Sequence, residues 1–170
     1  MAVFEKFMFR FISLDPVEIA RNLIGCLLCR YINGETLSFE ITEVEVYLGP
    51  EDLASHARFG KTKRNAVMFG PKDFWYVYLC YGIHTMLNLT TGSEGKPSAI
   101  LIRSVNGANG PGRLTKRLGI DLSFNGLPCS QSSNLWIEQG IIRDSIVTPR
   151  IGVDYAGPIW SQKLYRFIKK

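Results

Sequence analysis

The chain has 170 residues, 46% of them apolar and 21% charged. That balance excludes a disordered tail, and the length fits one domain, residues 1–170, able to bury roughly 70% of its unfolded surface without cross-links. Twenty Lys and Arg against fifteen Asp and Glu leave a net charge of +5, which suits a polyanionic partner and equally a merely basic soluble protein.

The first residues, MAVFEKFMFRFISLDP, are apolar in places but are interrupted by Glu5, Lys6 and Arg10. They carry no cleavage signature and make no transmembrane span, so the expected location is the cytoplasm, or the nucleus of a nucleated cell. Their aromatic content reads as a segment lying on the core. Asp15-Pro16-Val17-Glu18 starts a helix, with a capping aspartate, proline in the first turn and glutamate three residues after the cap. Ile19, Ala20, Leu23 and Ile24 form its apolar stripe, and Gly25 is its expected stop. A hairpin turning at Asn33-Gly34 follows. Cys26 and Cys29 inside it form a CxxC without a second pair nearby. Structural zinc is one reading, and buried reduced thiols in a reducing compartment are the better one.

The second strand of that hairpin ends in EVEVYLG, then PEDLASH. Alternation puts Val44, Val46 and Leu48 on one face and Glu43, Glu45 and Tyr47 on the other. Two carboxylates beside an aromatic are open to several readings. They can be a solvated face with basic cross-strand partners, a general acid or base with a raised pKa, or a glycoside-hydrolase pair. Glu45, Asp52 and His56 could also bind a metal. GKTKRN then concentrates Lys61, Lys63 and Arg64. FWYVYLC-YGI-HTMLNLT predicts an aromatic hairpin, and a three-residue loop would set Cys80 opposite His84 and Tyr76 opposite Asn88. A two-residue loop would shift the register and move Asn88 to the other face. Either way Tyr81 stands at or beside the tip, where small polar residues are usual. It either folds back onto the body or acts as a wedge entering a base stack. AILIRSV, with Arg103, reads as a buried strand. PGRLTKRLG reads as a short helix carrying Arg113, Lys116 and Arg117, a solvated run or a phosphate contact. Residues 121–149 are expected to be mostly loop apart from NLWIEQG, and the last strands are expected around RIGVDYA and KLYRFIKK. The order gives an α+β fold, a single compact domain with a mixed, mostly antiparallel sheet and flanking short helices.

Put in order, ARNLIGCLL, EITEVEVYLGPEDLASHA, GKTKRNAVMFGP, YVYLCYGIHTMLN, AILIRSV, GPGRLTKRLGID and RIGVDYAG resemble the alkyladenine, or 3-methyladenine, DNA glycosylases of the methylpurine type. The likeness spans about residue 15 to about residue 168. Its specific core is E-x-Y-x-G-x-x-D-x-x-x-H, then R-N-x-x-M-F and Y-V-Y-x-x-Y-G. The resemblance implies a monofunctional enzyme that flips a damaged purine out of duplex DNA and hydrolyses its bond to deoxyribose, starting base excision repair. The damaged purine would be of the 3-methyladenine type, or ethenoadenine or hypoxanthine. It makes Glu45 the base that activates water, with Arg103 holding carboxylate and water, and leaves Glu43 structural. Tyr47, His56 and Tyr78 would sandwich the base, Asn88 would clash with the 2-amino group of guanine, and Tyr81 would fill the vacated stack. It implies no metal or other cofactor, no membrane and a monomer. The alternative is a non-catalytic damaged-DNA-binding protein of the same fold. Three departures stand out. Asp73 replaces the family glycine before the YVY strand, and a family proline is replaced around Leu164. The sequence stops at Lys170, where relatives commonly continue with a tail expected to give the attacking water a backbone contact.

Overall fold

A computed structural model of the protein describes residues 15–170. The expectations for residues 1–14 therefore lie outside the described residues. Helix α1 (Pro16–Leu23) begins where predicted, with the Asp15 carboxylate accepting from the Val17 amide at 3.0 Å, and Gly25 turns away with a φ of 96°. Strand β1 (Leu27–Ile32) returns as β2 (Glu35–Tyr47) through Asn33 and Gly34, both at positive φ as a type I′ turn demands. The second hairpin is β3 (Trp75–Cys80) and β4 (His84–Thr90), joined by the three residues Tyr81-Gly82-Ile83. Its register sets Cys80 opposite His84 and Tyr76 opposite Asn88. Strands β5 (Ala99–Val105) and β6 (Ala108–Asn109), helix α2 (Pro111–Arg117), and strands β7 (Leu135–Glu138), β8 (Ser145–Thr148) and β9 (Arg166–Lys169) complete the sheet. A short helix, α3 (Gly157–Trp160), precedes β9.

The sheet runs β3-β4-β5-β2-β1-β7, with β9 also on β2 and β8 on β9, and the strand pairings given are antiparallel. Strand β2 is long enough to serve two neighbourhoods. Its first half pairs with β1, and its second half is held between β5 and β9. Alternation then divides the chemistry. Val44 and Val46, Trp75 and Val77, Leu87 and Leu89, and Ile100 and Ile102 all enter the core with α1 and α2. Each such buried side chain is worth roughly 1.5–3 kcal/mol. The residues between them face the other way and build the site.

One expectation is incomplete and another fails. Residues 121–149 are mostly loop apart from β7, but they also contain the strand β8, which exists through its pairing with β9. RIGVDYA is not a strand. Arg150 is tethered by a buried ion pair, Gly152 takes a φ of 71°, and Asp154–Ala156 form a 3-10 turn. The two CxxC thiols are buried and free. Cys26 Sγ lies 3.1 Å from the Asn22 carbonyl oxygen, and Cys29 Sγ lies 3.3 Å from Ser38 Oγ.

Candidate active site

The site face of the sheet is a set of cross-strand rows. Tyr76 pairs with Asn88, Asn88 with Leu101, Leu101 with Glu45, and Glu45 with Arg166. Ala99 lies opposite Tyr47, and its small side chain leaves room beside the ring. Arg103 owes its position to a break in this order. Glu43 pairs with Ser104 and Val44 with Ile102, so Arg103 is the extra residue of a β-bulge. It reaches both carboxylates of β2, with Nε 3.1 Å from Glu43 Oε1 and Nη1 3.3 Å from Glu45 Oε2. Glu43 is further tied to Arg166 at 2.6 Å and Ser104 at 2.8 Å. Burial opposes ionisation of Glu43, but those hydrogen bonds and the charges of Arg103 and Arg166 win and hold its carboxyl below its ordinary value.

Above this floor is a cavity of about 690 Å³, within the size range of small-ligand sites. Tyr47, His56, Tyr78, Asn88, Arg103, Arg64 and Tyr81 all line it. His56 and Tyr78 are in edge contact, centroids 4.6 Å apart. Tyr76, which was not singled out from sequence, contributes its hydroxyl at 2.9 Å from His56 Nδ1 and fixes that ring. The turn carrying His56 (His56–Phe59) is capped by Ser55 and anchored by Asn65, whose amide donates to the His56 and Gly60 carbonyls. Burial, with help from Arg64 and Arg58, depresses the His56 pKa to about 4, so the imidazole is neutral at physiological pH. Burial likewise pushes Tyr76 up to about 12 and Tyr78 higher. At 3% relative exposure, Asn88 is locked by its amide nitrogen on the Tyr76 carbonyl, 3.1 Å.

Glu45 does not stand in the open cavity as expected. It has no exposed surface. Its Oε2 accepts from the Tyr47 hydroxyl at 2.8 Å and from Arg103, and its Oε1 accepts from the Ile151 amide at 2.7 Å. All three donors line the cavity, so the carboxylate lies one side-chain layer behind the wall. Burial and the neighbouring Glu45 hold the Tyr47 hydroxyl well above its ordinary range, and it remains a donor. A metal shared by Glu45, Asp52 and His56 has no support among the described residues, because these three do not gather into one cluster. Asp52 instead pairs with Arg150, at 2.6 and 2.9 Å.

The basic residues divide into groups. Lys61 and Lys63 are exposed just beyond the His56 turn, whereas Arg64 is committed to the Leu79 carbonyl and lies 5.3 Å from the centroid of Tyr78. Arg113 and Lys116 line a groove with Ile83 and His84 beside the hairpin tip. Arg117 lies apart from that groove, over the Phe39 ring at 5.0 Å.

An aromatic-lined cavity with arginines in its wall and a carboxylate behind it is suited to a flat, electron-poor ring, and the exposed lysines nearby suit a polyanion. Comparison with known proteins narrows the class. The family profile of methylpurine-DNA glycosylase matches residues 10–108 and 105–170. A DNA-3-methyladenine glycosylase of Arabidopsis thaliana is 36% identical over 92% of this chain and 68% of its own length. A protein of Nitrosococcus oceani whose name assigns it to the 3-methyladenine DNA glycosylases is 40% identical over 88% of this chain and 82% of its own. One of Borreliella burgdorferi, named likewise, is 37% identical over 94% of both. The chain belongs to the methylpurine-DNA glycosylase family. It is thus an N-glycosyl hydrolase of DNA repair that acts on DNA.

Proposed function

We propose that the enzyme extrudes alkylated purines of the 3-methyladenine type from duplex DNA and hydrolyses their N-glycosidic bond with a water activated by Glu45. Ethenoadenine and hypoxanthine are proposed as further substrates. The observation that carries this reading is the convergence of Tyr47, His56, Tyr78 and Asn88 on one cavity with Glu45 directly behind it. Tyr81 stands at the cavity rim, 90% exposed on the hairpin tip. It fills the space the nucleotide leaves, and stacking on the aromatic walls, about 1–3 kcal/mol per contact, offsets an extrusion cost of a few kcal/mol. Alkylation makes a purine a better leaving group, and aromatic faces favour its cationic form. The locked Asn88 amide meets the edge of the bound base and disfavours the 2-amino group of guanine.

In the chemical step the C1′–N bond breaks with its electron pair going to the base. The water oxygen bonds to C1′, and Glu45 accepts the water proton. The buried carboxylate offers about four lone-pair positions, of which three are used. The Arg103 contact is the longest of the three, and water enters where it yields, between Arg103 and Tyr47. Among the described residues no lysine lines the cavity, and the reading is base release without strand cleavage. The enzyme is proposed to act as a monomer on the genome, in the cytoplasm or nucleus.

One assay tests this reading. Duplexes bearing a single 3-methyladenine, ethenoadenine or hypoxanthine are incubated with the enzyme and abasic sites are scored. Base release is expected from the native chain, and a loss of about 10²–10⁴-fold in Glu45→Gln with DNA binding retained. Full activity of that variant removes Glu45 from the chemistry, and tight lesion binding without release by the native chain indicates a damage-binding protein.

A further inference from the structure

Among the described residues, the proposed mechanism leaves one buried ion pair unused. Arg150 has a side chain with no exposed surface, and so does its partner Asp52. The guanidinium ties its own segment to three other parts of the molecule. It meets Asp52 through two parallel hydrogen bonds, donates to the Val46 carbonyl at 2.8 Å, and donates to the Trp160 carbonyl at 3.2 Å. Asp52 in turn accepts from the Leu48 and Ala54 amides, both at 3.0 Å, and so closes the loop that leads to His56. A buried ion pair is a poor device for stability alone, because an apolar pair of similar volume often serves as well or better. Its placement points to another use.

That placement has two features. The guanidinium carbon lies 4.8 Å from the centroid of the Tyr47 ring and 5.3 Å from that of Tyr165, so it braces Tyr47. The next residue along the chain, Ile151, donates the 2.7 Å amide hydrogen bond to Glu45 Oε1. One side chain therefore fixes a stacking wall and also one of the three donors on the carboxylate. Residues following it in sequence, Ile151, Gly152, Val153 and Tyr155, line the same cavity.

We propose that Arg150, clamped by Asp52, is a positioning residue of the glycosylase site: it sets the plane of Tyr47 and the approach of the Ile151 amide to Glu45. This rests on the roles given above to Tyr47 and Glu45. Lysine cannot replace it in kind, since a point charge on a flexible stem has neither the planar fork nor the stacking face. The pair acts through its neighbours and touches neither base nor water.

The test compares Arg150→Lys, Asp52→Asn and Glu45→Gln, each checked by circular dichroism and assayed well below its melting temperature. The measurements are single-turnover base release at saturating enzyme, its pH profile, and the Kd for undamaged duplex. Arg150→Lys and Asp52→Asn are expected to slow release about 10-fold or more while Kd for undamaged duplex stays within about 2-fold. Arg150→Lys should also move the acid limb of the profile to higher pH, because a donor to the carboxylate is displaced while the charge at this position is kept; in Asp52→Asn the lost negative charge opposes that movement, so the rate alone is read there. The other titratable and charged groups near Glu45, namely Glu43, Tyr47, Arg103 and Arg166, are unchanged in both variants. A merely structural pair would alter melting but neither rate nor acid limb in the folded variants. Should neither variant fold, Ile151→Pro deletes the amide hydrogen at a half-exposed position, and the same displaced limb is expected. An inactive Glu45→Gln beside variants of normal rate and profile overturns the positioning role. A fully active Glu45→Gln overturns the underlying reading instead.

Discussion

Tyr81 occupies the left-handed region with a φ of 52° and leaves 90% of its surface in solvent. Neither choice helps the fold, since a side chain there costs roughly 1–2 kcal/mol and a tip aromatic buries little. A residue that is unfavourable for structure and projects beside a cavity is a candidate for function. Tyr81→Gly should therefore separate the two. Glycine accepts this φ, and its greater freedom in the unfolded chain trims the gain, so unfolding free energy should be unchanged or higher by up to about 1 kcal/mol. Base release from a duplex should fall about 10-fold, the equivalent of a stacking contact of about 1–3 kcal/mol. Thermal unfolding and single-turnover release are the measurements. A large drop in melting temperature with an unchanged rate would show the tyrosine to be a packing residue.

At the level of elements, the entry to β3 carries another left-handed residue, Asp73, with a φ of 66°. One of its carboxylate oxygens is buried without a partner, and burial raises its pKa despite the charge of Lys72. A raised carboxyl pKa means that the folded state holds the proton more tightly than the unfolded chain. Stability is then greatest below the unfolded value and falls as pH rises through the folded one. At neutral pH Asp73 is a liability, and Asp73→Gly should raise stability by about 1 kcal/mol, or about 2–4 °C in melting temperature. The gain should shrink as the pH falls into the acid range, and a pH series of melts reads it directly. Elements with local signals were legible from sequence. The Asp15 cap, the Asn33-Gly34 turn, the β3–β4 hairpin (though not its loop length) and the alternation that separates Val44 and Val46 from Glu45 and Tyr47 all follow from neighbours a few residues apart. Features that depend on distant partners were not. Strand β8 is defined by β9, and its Ile146 and Val147 are both exposed, so no period-2 pattern marks it. Arg150 looked like the start of a strand because its partner Asp52 lies 98 residues away. The bulge that aims Arg103 at two glutamates is equally silent in sequence, as is the burial of Glu45 behind its three donors.

For the whole molecule, the net charge of +5 matters through its placement. Lys61 and Lys63 follow the turn that carries His56, while Arg113 and Lys116 flank the hairpin that carries Tyr81. These two groups are proposed as basic margins that contact the phosphates of a bound duplex, which would fix register and orientation while the pocket reads the base. Lys72 and Lys96 form a contrast, lining a separate groove with Glu51 and Glu94. Each phosphate contact adds about 0.9 to the slope of log affinity against log salt. The double variant Lys61→Ala/Lys63→Ala should lower that slope by about 2 on undamaged duplex and weaken lesion-bearing and undamaged DNA by the same factor. Lys72→Ala/Lys96→Ala removes the same charge and should leave the slope unchanged. Fluorescence anisotropy across a salt series decides between placement and net charge. Equal losses of slope in the two double variants would mean that the basic margins do not track the DNA backbone and that only overall charge draws the enzyme to its substrate.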